Sequence, residues 1–286
     1  MDLPLLTDRT AIALGTGFYA AGLLYGCWSL VFRRRYSRLA SYGLIAFGWI
    51  LQTTGLFLRG QATHSCPIGN TFEVFQFVAW SCTLLYLFVG PAFRMSLLGF
   101  FTSGMAVLLG VLSLVVPAWD SALRVRPFGA DPVVAIHASL ALFSYGVFAL
   151  LALTSLMYLL QHRNLRRKQL GGAFALLPSI VELDHINLRL LAVGTALLTL
   201  ALALAGVHWQ GHPDAVAHAK LAATVAVWLC YCVALVQRLR QRLVALRFAR
   251  VGLLLFLAPL LSLWLVNSPR RSAAPVEPTP AQERMP

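Results

Sequence analysis

Residues 133–160 read VVAIHASLALFSYGVFALLALTSLMYLL, with no Asp, Glu, Lys or Arg. The run exceeds the roughly 20 apolar residues a helix needs to cross a hydrocarbon layer about 30 Å thick. A chain in that solvent must satisfy its backbone hydrogen bonds internally, so the stretch reads as a transmembrane α-helix. Moving outward with the same measure, further segments fall at 11–32, 39–58, 71–90 and 95–116 before it, and at 188–207, 219–237 and 249–267 after it. The expected fold is an all-α polytopic membrane protein, a bundle of about eight transmembrane helices with its N-terminus outside. Residues 1–267 form the transmembrane domain, and residues 268–286, rich in Pro, Ala and Glu, are expected to be a disordered tail. Residues 169–187 are interrupted by Pro178 and polar at one end, which suggests a short interfacial helix returning the chain to segment six.

Composition supports this class. Of 286 residues, 59% are hydrophobic and 12% charged, with mean hydropathy +0.74. A soluble domain of this size carries about 25% charged residues to cover its surface, so a soluble fold is excluded. The excess of 23 Lys+Arg over 10 Asp+Glu records topology, because cations collect in the loops that stay in the cytoplasm. Arg33, Arg34, Arg35 and Arg38, then Arg94, then Arg163, Arg166, Arg167 and Lys168, then Arg238, Arg240, Arg242, Arg247 and Arg250 fall in alternate loops. Those loops are expected inside and both termini outside, in a bacterial inner (cytoplasmic) membrane. No basic stretch is interleaved with aromatics as a strand-binding surface requires, so the bilayer and not nucleic acid is the expected partner. Residues 1–10 contain Asp2 and Asp8 and lack the basic start of a secretory signal, so the first apolar run is expected to be retained. The five cysteines contain no C-x-x-C and read as packing residues.

The histidines sort by side. His64, His137, His208, His212 and His218 fall at the outer ends of segments, and His162 and His185 at inner ones. His137 opens segment five above a stripe of mostly small residues, Ala141, Ser144, Phe148, Ala152 and Ser155. The stripe fits two readings: tight helix packing capped by an interfacial imidazole, or an axial iron ligand above a groove that admits a flat group. Glu73, near the outer end of segment three, is an acidic group at membrane depth and a functional candidate. Asn70 three residues before it makes a capping box, in which the carboxylate serves backbone N–H groups. Residues 207–220, VHWQGHPDAVAHAK, hold three histidines and Asp214, a composition able to bind a transition metal. There is no phosphate-binding glycine loop, no nucleophile elbow and no pair of buried carboxylates, so nothing supports a hydrolase or an NTPase. A small-molecule transporter is disfavoured by the near absence of charges within the spans.

Several stretches in order carry a resemblance: Arg59 followed by PIGNTFEVFQFVAW at 67–80, IHASLALFSY at 136–145, and LPSIVELDHINLR at 177–189 running into Gly194, Thr199 and Gly206. Together they resemble the cytochrome c assembly protein family, the CcsA and HemX-like membrane proteins that handle haem, over residues 10–267. The resemblance implies a non-enzymatic membrane protein of cytochrome c biogenesis that binds, presents or helps export haem at the outer face. Its implied partners are haem and other cytochrome c assembly membrane subunits. His137 stands where the family has an outer haem-ligating histidine. The family's tryptophan-rich haem loop ends in W-D-P-K; here Trp209 and Lys220 are retained but His218 takes the acidic position. The family's intramembrane histidine would fall near Val236, and its second outer histidine where Asn267 and Ser268 begin N-S-P-R-R; neither is present. These departures fit a HemX-like branch, a regulatory or scaffolding protein of haem metabolism, as the alternative. Beyond the family correspondence, the candidate haem-contacting set is His137 with His208 or His212, Trp80, Trp119 and Trp209 as flat surfaces, and Glu73.

Overall fold

The computed structural model describes residues 7–32, 34, 36–63, 66–92, 97–120, 132–168, 177–211, 218–257 and 260. Its described elements are all helical: α1 (Asp8–Val31), α2 (Arg38–Thr63), α3 (Thr71–Ala92), α4 (Leu98–Val115), a 3-10 turn (Pro117–Trp119), α5 (Pro132–Arg166), α6 (Ile180–Gly211), α7 (His218–Leu239) and α8 (Ala245–Leu255). The first seven α-helices are long and apolar enough to cross a membrane, and the chain is a multi-pass helical membrane protein. The expected eighth span begins in α8, which has 11 described residues; most of 258–267 lies outside the described residues, as does the tail 268–286.

One expectation is corrected. Residues 180–187 do not form a separate interfacial helix but the first two turns of α6, continuous with segment six. Pro178 precedes the helix and does not break it. The Ser179 hydroxyl accepts the Glu182 N–H at 3.2 Å, so the helix starts immediately beyond the proline. Residues 169–176 lie outside the described residues.

Long-range polar contacts establish alternating helix directions. The start of α1, the end of α2, the start of α3 and the turn after α4 meet through Asp8, Arg59, Glu73 and Asp120. The start of α5 joins that end, where the Ser139 hydroxyl lies 3.5 Å from Cys66 Sγ. At the opposite end, Arg238 of α7 pairs with Asp184 near the start of α6, and its guanidinium lies 5.0 Å over the Phe248 ring of α8. Arg238, counted above among loop cations, is buried.

Helices α1–α4 form one packed group and α5–α8 another, joined mainly along α3 and α5. Lipid tails are as apolar as leucine, so burial supplies little drive for one helix to choose another; small residues and hydrogen bonds do more. The first group is threaded by a buried relay. Tyr19 Oη donates to Gln52 Oε1 at 2.7 Å, Gln52 Nε2 to Gln76 Oε1 at 2.7 Å, and Gln76 Nε2 to Ser113 Oγ at 2.7 Å. Four side chains from four helices thus satisfy one another where water cannot. In the second group Phe148 of α5 stacks on Tyr231 of α7, ring centroids 3.5 Å apart, beside Gly194 of α6.

Candidate functional site

The N-terminal ends of α1, α3 and α5 and the C-terminal ends of α2, α4 and α6 carry the candidate residues. Glu73 has the capping role its spacing suggests: its N–H donates to Asn70 Oδ1 at 2.8 Å. Its carboxylate reaches back to the Gly69 N–H at 2.6 Å, one residue before the box's usual partner. The other carboxylate oxygen accepts Arg59 Nε at 2.7 Å. Arg59 also donates Nη1 to Asp8 at 3.2 Å and Nη2 to Asp120, and its guanidinium lies 4.6 Å from the centre of the Phe72 ring. Arg9 adds a second cation to Asp120 at 3.3 Å.

Three acids gather around Arg59, itself 4% exposed: Glu73 is buried, while Asp8 and Asp120 are partly exposed, with side chains 35% and 14% accessible. They are brought together by chain segments far apart in sequence, and each pairs with the Arg59 guanidinium. Sequence reasoning singled out Glu73 and quoted Arg59, but missed Asp8 and Asp120 as its partners. The available signal was Arg59 itself, since an arginine at the end of an apolar helix must find an anion.

His137 is half-buried on α5, and its Nδ1 lies 2.6 Å from the carbonyl oxygen of Ala201 on α6. A carbonyl only accepts, so Nδ1 carries the proton and the lone pair of the neutral ring sits on Nε2. Below His137 the stripe of small residues is filled by neighbours. Ser144, Phe148, Ala152 and Ser155 are buried, Phe148 against Tyr231 and Ser155 against Gly252 of α8. Of the two readings of that stripe, tight helix packing is what the structure contains.

His208 is half-buried near the end of α6, two turns beyond Ala201 on the same helix face, about 10 Å further along the axis. The backbone of Trp209 continues α6, while the side chains of Trp209 and His218 lie outside the described residues, as does His212 entirely. Trp80 looks elsewhere. Its Nε1 donates to Thr53 Oγ1 of α2 at 2.8 Å, and its ring stacks on Trp49 with centroids 5.7 Å apart. With Leu56, Phe57 and Phe77 it lines an apolar cavity of about 330 Å³ between α2 and α3. Trp119 packs on Phe75, centroids 5.0 Å apart. The partners of Trp80 are on α2 and α3 and the partner of His137 is on α6, so the structure does not bring these two candidates together. Among the described residues no three His, Cys, Asp or Glu side chains gather in a metal-binding group, and all five cysteines are free.

The residues with this geometry lie mostly within the part of the chain that matches a known family. Residues 68–271 match the family model described as cytochrome c assembly protein. The chain is 31% identical over 192 residues to Protein HemX of Brevibacillus brevis, covering 67% of this chain and 70% of that protein. It is 26% identical over 191 residues to Protein HemX of Bacillus subtilis (strain 168), covering 67% and 69%. It is 25% identical over 243 residues to the cytochrome c biogenesis protein CcsA of Synechococcus sp. (strain WH7803), covering 73% and 75%. A multi-pass helical chain matched over most of its length in this way belongs to the cytochrome c assembly protein family.

Proposed function

We propose that this protein binds or presents haem at the outer face of the bacterial inner membrane in support of cytochrome c biogenesis, without turning over a substrate of its own. The observation that carries the proposal is the bond from His137 Nδ1 to the Ala201 carbonyl. A metal-ligating histidine usually donates its second ring N–H to a carbonyl or carboxylate, which fixes the tautomer and aims the other nitrogen. The donor set fits haem iron, for which a neutral imidazole is a common axial ligand. When bound, haem supplies the iron and the reactive edge; the protein supplies position. His137 Nε2 holds the iron, α6 holds the ring of His137 in orientation, and His208 or His212 stands as the second ligand. Trp209 on the same helix end is the flat contact. Trp80 and Glu73 act from α3, where Glu73 anchors the helix start by its cap and by Arg59. Partner subunits of the assembly machinery receive or deliver the group at this face.

A spectrum tests the reading. The protein purified in mild detergent and supplied with haem is expected to show a Soret band that His137→Ala diminishes or shifts. A colourless preparation from the folded wild type counts against haem binding and in favour of the second reading, a HemX-like regulatory or scaffolding protein. That second reading is supported by the name borne by two of the relatives and by the altered position at His218.

Orientation is tested separately. A reporter fused after Asn267 is expected to be active only on the outer side, because the arginine-rich loops hold the alternate ends inside. Activity in the cytoplasm would refute the eight-span arrangement.

A further inference from the structure

At the end of the bundle opposite His137, the last turns of α5 and the first turns of α8 enclose a cavity of about 400 Å³. Four of its lining residues are arginines, Arg163, Arg166 and Arg167 from the end of α5 and Arg250 from α8, joined by His162. Its remaining walls are the aliphatic side chains of Leu159 and Leu246. All four arginines are exposed, and among the described residues none has a carboxylate partner. His162 Nε2 is buried and has no hydrogen-bond partner. The first turn of α8 also opens without a side-chain cap, which leaves N–H groups and the positive end of the helix at the same place.

Four guanidiniums around one concavity repel each other unless an anion sits among them, and nothing in the described structure supplies one. The cavity is amphipathic: Leu159 lies one turn deeper along α5 than Arg163, and Leu246 sits on the first turn of α8 beside the arginines, one turn short of Arg250. By the distribution of cations it opens at the cytoplasmic leaflet, where anionic lipids are met, and basic pockets between transmembrane helices on that side bind phosphate headgroups. Guanidinium forks match phosphate oxygens in a bidentate way that an ammonium cannot.

We propose that this cavity is a binding site for the phosphate of an anionic inner-leaflet phospholipid, clamped by Arg163, Arg166, Arg167 and Arg250, with its glycerol end against Leu246 and its acyl chain against Leu159. The site is independent of the haem reading. It lies at the far end of the bundle and shares no residue with it. Occupancy adds a further tie between the start of α8, which holds Arg238 through Phe248 and packs along α5, and the end of α5.

The test is native mass spectrometry of the full chain from phosphatidylcholine nanodiscs doped with phosphatidylglycerol or cardiolipin. The wild type is expected to retain an anionic lipid, and R166Q/R250Q to retain roughly tenfold less. R240Q/R242Q, which removes the same charge from the α7–α8 turn outside the cavity lining, is expected to behave as wild type. If R166Q/R250Q does not fold, R166K/R250K serves in its place, expected to retain less lipid than the wild type and than R240Q/R242Q; retention equal to both overturns the proposal. Equal retention of anionic and zwitterionic lipid by the wild type overturns the proposal. So does equal loss from the cavity and turn variants, which would mean a diffuse field. Full displacement of the lipid by millimolar inorganic phosphate would assign the site to a soluble anion and overturn the lipid source.

Discussion

Arg59→Ala is expected to lower the unfolding free energy by about 3–5 kcal/mol, the cost of stripping one partner from a buried charge group. The guanidinium is 4% exposed and is shared by Glu73, Asp8 and Asp120, which come from α3, α1 and the turn after α4. Removing it leaves three carboxylates in one place, faced among the described residues by Arg9, 46% exposed at its side chain. Arg59→Lys keeps the charge but offers one ammonium in place of three directed N–H groups, so it should recover only part of the loss. Equilibrium unfolding in mixed micelles, followed by circular dichroism, measures both. A loss below about 1 kcal/mol for Arg59→Ala would mean that the group is solvated as a surface pair is, and the four-helix latch would have to be abandoned.

Gly146→Ala comes second. A β-carbon at Gly146 of α5 would lie 1.9 Å from Ser81 Oγ, 2.6 Å from Ser81 Cβ and 3.1 Å from the Cys82 backbone nitrogen of α3. Helices approach this closely only where one of them lacks a side chain. Forcing a methyl group into the contact must push α3 and α5 apart, at about 1–3 kcal/mol for an overpacked interior. The seam is the main join between the two helix groups, so the loss should appear as lower thermal stability of the whole domain. Adding Ser81→Gly removes the two closest obstacles and leaves the one at 3.1 Å. The double variant is therefore expected to be more stable than Gly146→Ala alone, with a coupling on the order of 1 kcal/mol. Additive behaviour of the two substitutions would show that the helices do not meet at this point.

The candidate site was legible in unequal parts. Glu73 could be read as a cap because the interaction is local: Asn70, Gly69 and Glu73 lie within one turn of each other. His137 could be marked by its place at the head of a span, but the proton position that makes Nε2 the free ligand depends on a carbonyl 64 residues away in α6. Trp80 shows the limit. Its depth, midway along segment three, follows from span boundaries, whereas its direction, toward Thr53 and Trp49, follows from the rotation of α3 about its axis.

By itself the amino-acid sequence determined the existence and approximate place of the seven long apolar helices and the capping of α3. All of these follow from the cost of placing charge or unpaired backbone in hydrocarbon, a cost paid residue by residue along the chain. Tertiary structure alone decided which helix faces which. The meeting of Arg59 with Asp8 and Asp120, the relay from Tyr19 to Ser113, and the merging of residues 180–187 into α6 belong to that level. A transmembrane helix is apolar around its whole circumference, so hydropathy carries no mark of its inward side; only close packing and hydrogen bonds between distant segments choose it.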